Sequence, residues 1–108
     1  MSCVVLLPIY QTDLSDNELY AIRHNFSTLN NWDHIIISPK TIVSEIKDIF
    51  EGCSPKNVKF IGLEDEHFKS VTSYDQMLLK RWFYEMFSNY EFLLITQTDV
   101  VIFRDELN

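Results

Sequence analysis

Apolar positions along the chain alternate between two rhythms. Residues 4–9 are continuously apolar and are followed by the turn-rich Gln11-Thr12-Asp13. A run without polar alternation predicts a strand covered on both faces. Ser15 with Glu18 three positions on has the form of a capping box, which predicts a helix start. Leu19, Ile22, Phe26 and Leu29 then recur at helical spacing as one stripe, ended by Asn30-Asn31. Residues 34–37 predict a second buried strand, stopped by Ser38-Pro39. Ile42, Val43, Ile46, Ile49 and Phe50 predict a second amphipathic helix, closed by Gly52, and residues 58–61 a third strand.

The remainder repeats the alternation. After Gly62, the acidic Glu64-Asp65-Glu66 reads as a solvated turn. Ser73 with Gln76 predicts a capped helix over 74–88. Its apolar residues form one stripe of Leu78, Leu79, Trp82, Phe83 and Met86, with Tyr74, Met77, Tyr84 and Phe87 elsewhere on the wheel. Such a helix is expected to need cover on more than one side. Residues 91–97 predict a fourth strand, and 100–103 are again apolar. Strands alternating with helices predict an α/β fold, an open, mostly parallel sheet with helices on both faces, as a single unit over 1–108.

Composition narrows the functions open to such a fold. The chain carries 9 Lys+Arg against 16 Asp+Glu, a net charge of -7, with no basic run. An electrostatic grip on nucleic acid or an anionic membrane is not expected. The apolar run at 4–9 is far too short to span a bilayer and lacks the basic flank and cleavage site of a signal peptide. Two cysteines, Cys3 and Cys53, make no disulfide framework and read as reduced thiols of a cytoplasmic protein. Only Gly52 and Gly62 are present, which excludes a P-loop and a G-x-G-x-x-G fingerprint. A phosphate-bearing ligand would need a cation or backbone amides to offset the carboxylates.

In open α/β sheets ligands bind beyond the carboxyl ends of the strands. The first strand ends in Pro8-Ile9-Tyr10, and the fourth in Thr96-Gln97-Thr98-Asp99. Asp99 is a lone carboxylate between two uncharged runs, a costly position if it is buried without a partner. Two roles fit it: a strand-end carboxylate holding a metal or a ligand hydroxyl, and a turn residue capping backbone amides. Asp75 falls in the first turn of the third helix, where it either compensates the helix dipole or faces a ligand. Tyr10 either stacks on a flat ligand or packs. His24, His34 and His67 have no ligand spacing, and no nucleophile triad can be assembled. A receiver-like signalling domain needs an acidic pair where this chain has Pro8-Ile9-Tyr10.

The order of three segments resembles the N-terminal half of a glycosyltransferase-like family with the GT-A fold, known mainly as a domain of unknown function in sugar-polymer loci. The segments are residues 4–10, then 70–84 with Tyr74, Leu78-Leu79 and Phe83-Tyr84, then 90–107 through Thr96-Gln97-Thr98-Asp99 and Arg104-Asp105-Glu106-Leu107. The resemblance implies a nucleotide-sugar donor and a glycan-type acceptor. It implies that Pro8 and Tyr10 border the nucleobase and that Asp75 lies near the donor. It also implies a divalent metal (Mn²⁺ or Mg²⁺) on the donor diphosphate at the family's D-x-D motif. Asp99 aligns with the second D and Gln97 with the first, so the motif here is Q-x-D, with a neutral ligand where hard cations prefer a carboxylate. The acceptor half of such folds follows this segment, so the chain is expected to be one part of a larger whole, or a relic without turnover. An open sheet ending after its fourth strand is also expected to leave an unpaired edge and to favour self-association.

Overall fold

The computed structural model describes residues 3–29, 31–50 and 58–96. Four parallel strands, β1 (Cys3–Pro8), β2 (Asp33–Pro39), β3 (Val58–Leu63) and β4 (Phe92–Ile95), form one sheet in the order β3-β2-β1-β4. Helices α1 (Asp16–Thr28) and α2 (Val43–Ile49) connect β1 to β2 and follow β2. Between β3 and β4 lie a 3-10 turn (Asp65–Phe68) and two short helices, α3 (Val71–Leu78) and α4 (Arg81–Glu85). The α/β class and the parallel sheet expected from the pattern are both present.

β1 is buried along its whole length because it is flanked by a strand on each edge and by helices on each face. Its side chains divide by parity. Leu7 and Ile9 pack with Ile22 and Phe26 of α1, Ile46 of α2 and Phe50 just beyond it. Val4 and Leu6 pack on the opposite face with Met77, Phe83 and Phe87. Two cores on two faces explain why the run carries no polar alternation. Register is continuous across the sheet: Leu6 pairs with Ile35 on one side and Ile95 on the other.

Packing also accounts for the small glycine at the end of β3. A Cβ on Gly62 would stand 3.2 Å from Val43 Cγ1 and 3.3 Å from Lys40 Cα, so its absence admits the loop that leads into α2. That loop holds the acidic turn: Asp65 accepts from the Thr41 hydroxyl at 2.8 Å, and Lys40 pairs with Glu64. The acidic segment is exposed or half-buried, as its charge requires.

One expected element differs. Instead of a single helix over 74–88, the chain makes α3 and α4, separated at Leu79 and Lys80, where Lys80 turns to extended backbone (φ -87, ψ 138). The start is earlier too: Ser70, not Ser73, is the cap, its hydroxyl accepting from the Ser73 amide at 3.1 Å. The reason lies in the core. In one unbroken helix Met77 and Phe83 would stand about 120° apart at 100° per residue. The break lets both face the sheet, and both are buried with Phe87. Leu79, expected in the apolar stripe, sits at the break and is 83% exposed, and Trp82 and Met86 are also largely outside the core.

β4 borders the described sheet on the side of β1, and Phe92 on it is 54% exposed. The apolar run at 100–103, expected to contribute to an edge, lies outside the described residues. No helix among the described residues is long and apolar enough to cross a membrane.

Candidate functional site

The strand order has a physical consequence. The chain steps from β1 to β2 to β3 in one direction, then returns to place β4 on the other side of β1. At such a reversal a crevice opens at the strands' carboxyl ends. The structure has a cleft of about 1110 Å³ at this place. Pro8 and Tyr10 at the end of β1 and Ile95 at the end of β4 line it.

Two helices begin at the walls. On one side Ser15 caps α1: its hydroxyl accepts from the Glu18 amide, and the Glu18 carboxylate accepts from the Ser15 amide, both at 3.1 Å. On the other side Ser70 caps α3. Ser15, Glu18, Ser70 and Val71 all line the cleft, so the positive ends of two helix dipoles converge on it. α1 starts there because the capping box immediately precedes its apolar stripe. α3 starts there because Ser70 adopts extended backbone (φ -156) at the end of the 3-10 turn.

The lining is aromatic and mixed in charge. Tyr10 is 60% exposed and Tyr20 65% exposed, and both line the cleft. Tyr74 and Phe68, whose ring centroids are 6.4 Å apart, line it from the α3 side. Burial pushes the Tyr74 hydroxyl pKa above its ordinary value, helped by the charge of Asp75 and by Tyr84. Tyr74 therefore stays protonated and able to donate a hydrogen bond through the neutral range. Glu18, Asp75 and Lys69 supply the charged groups. A pocket with aromatic faces, hydroxyls and a few charges suits a polar ligand that also has a flat or apolar surface.

Three residues singled out from the sequence meet here. Pro8, Tyr10 and Asp75 come from two distant segments and line the same cleft. Asp75 is exposed. Gln97 and Asp99 lie outside the described residues. The last described residue, Thr96, is buried and continues the pairing of β4, its amide donating to the Leu6 carbonyl at 2.8 Å. Among the described residues no group of three or more His, Cys, Asp or Glu could hold a metal ion.

Sequence reasoning missed Tyr20, Lys69 and Ser70 as cleft residues. The signal for the last two was present: placing the α3 cap at Ser70 instead of Ser73 brings residues 69–71 to the ligand edge. Tyr20 carries no such signal, because it lies off the apolar stripe of α1 and reads as an ordinary surface residue.

Comparison with known proteins adds one match. The model of a family of proteins of unknown function, DUF5672, matches residues 57–108, just under half of the chain, including α3, α4 and β4. No curated protein and no solved structure matches the chain.

Proposed function

We propose that the cleft is the donor site of a nucleotide-sugar-dependent glycosyltransferase and that this chain is its donor-binding portion. The observation that carries the reading is the convergence of Pro8, Tyr10 and Asp75 on one cleft at the reversal point between β1 and β4. In this reading Tyr10 stacks on the nucleobase above Pro8, and Asp75 accepts hydrogen bonds from donor hydroxyls. Asp99, with Gln97 assisting, would hold a divalent metal, which would supply positive charge to offset that of the donor diphosphate. The sugar passes to a glycan-type acceptor. The test is calorimetric titration of the chain with a UDP-sugar and Mn²⁺. Wild type is expected to bind and Asp99→Ala to bind much more weakly; equal binding by the two contradicts the metal assignment.

A second reading is favoured by one residue. Gln97 stands where the resemblance implies a carboxylate, which weakens a hard-cation site. A protein of the same fold that binds without turnover fits that change. Product analysis with a nucleotide-sugar donor and glycan acceptors separates the two: transfer supports the enzyme, and tight donor binding without transfer supports the binding protein.

A further inference from the structure

The described lining of the cleft contains two carboxylates, Glu18 and Asp75, and one cation, Lys69. The whole chain is strongly acidic, with a net charge of -7. A ligand bearing phosphates meets an unfavourable field here unless a positive group is fixed close to it. Lys69 is exposed and lies immediately before Ser70, the cap of α3. The positive end of that helix therefore sits beside the lysine. Among the described residues the salt bridges are Lys40–Glu64 and Arg81–Glu85, and Lys69 belongs to neither.

We propose that Lys69 is the phosphate-binding side chain of this cleft and orients the ligand, drawing its phosphates to the α3 wall while Tyr10 holds the flat base at the end of β1. This rests on the nucleotide-sugar reading of the cleft. A lysine ammonium on a phosphate acts as a flexible point charge with three donors, so its contribution is to charge, not to planar geometry. Lys69→Arg should therefore retain most of the effect.

The experiment compares a nucleoside with its diphosphate. The chain is titrated with uridine and with UDP in Mn²⁺ buffer, as wild type, Lys69→Ala and Lys69→Arg. Lys69→Ala is expected to weaken UDP binding by about tenfold, the scale of one charge-assisted hydrogen bond. Uridine binding should be unchanged, and Lys69→Arg should bind UDP within about threefold of wild type. The salt dependence of UDP binding should flatten in Lys69→Ala, because an exposed charge pair is screened. If wild type binds UDP and Lys69→Ala binds it equally, the role of Lys69 is overturned and the donor-site reading stands. If Lys69→Ala weakens uridine and UDP alike, Lys69 shapes the cleft and does not read phosphate. If wild type binds neither these nor the guanosine, cytidine and adenosine counterparts, the donor-site reading and the role of Lys69 both fall.

Discussion

The Tyr90 hydroxyl donates a 2.6 Å hydrogen bond to Asp33 Oδ2. Asp33 is the first residue of β2, and Tyr90 precedes β4 by two positions. β1 lies between those strands, so the bond straps β4 to the sheet across the amino end of β1, opposite the cleft. It holds the returning strand in register at the end of the sheet away from the cleft.

That bond pushes the Tyr90 pKa up to about 12, mainly because the proton is held by the Asp33 carboxylate, with burial and the Asp33 charge adding to it. The native state thus binds the proton more tightly than the unfolded chain, whose tyrosine titrates near 10. The contribution is full below pH 10 and is lost as pH rises toward 12. Tyr90→Phe is expected to lose about 1 kcal/mol at neutral pH. Urea melts at pH 8 and pH 10.5 should show the gap between wild type and variant narrowing at the higher pH.

His34 gives a pH dependence of the opposite kind. Its ring is buried edge-on to Phe26, and Nε2–H donates to the Leu29 carbonyl at 2.9 Å. Burial lowers its pKa below 6.5, against the raising effects of that hydrogen bond and of Asp33. The unfolded chain therefore takes up a proton before the native state does. Stability is full above pH 6.5 and declines as pH falls below it, until native His34 itself is protonated. Thermal melts from pH 7.5 to 5.5 should show this decline, and His34→Gln should reduce it.

The broken helix makes a paired prediction. Phe83 is fully buried, whereas Leu79 is 83% exposed. Phe83→Ala should cost about 3–5 kcal/mol, and Leu79→Ala less than about 0.5 kcal/mol. One continuous helix with both residues on its apolar stripe would make both substitutions costly. Denaturant melts of the two variants decide between these arrangements.

The legible parts of the fold are those where local pattern and tertiary demand agree. The uninterrupted run at 4–9 reads as a central strand because nothing polar can be tolerated between two cores. The Ser15 box reads as a helix start because its hydrogen bonds are made within four residues. The 70–88 region resists such reading. Two serines three apart, Ser70 and Ser73, compete as caps, and the choice falls to Ser70. The break at Leu79-Lys80 has no proline or glycine to mark it and follows from the need to bury Met77 and Phe83 together. The same region sets the cleft, so the early start of α3 hid Lys69 and Ser70. Pro8, Tyr10 and Asp75 were accessible to sequence reasoning because strand ends and helix first turns meet at the ligand edge in any such sheet.

The central claim is that a nucleotide-sugar enters the cleft beside Tyr10. The most direct measurement is a titration of the ¹⁵N-labelled chain with UDP-sugar and Mg²⁺, followed by amide chemical shifts in wild type and Tyr10→Ala. Tyr10 is 60% exposed, so its removal should leave folding intact, while loss of one base-stacking surface should weaken binding by about 1–3 kcal/mol. The account predicts saturable shifts centred on Tyr10, Ser15, Ser70 and Asp75, with weaker affinity in the variant. Shifts centred instead near Asp33 and Tyr90 at the amino ends of the strands, or no saturable shifts for UDP-, GDP-, CDP- or ADP-sugars, would contradict it.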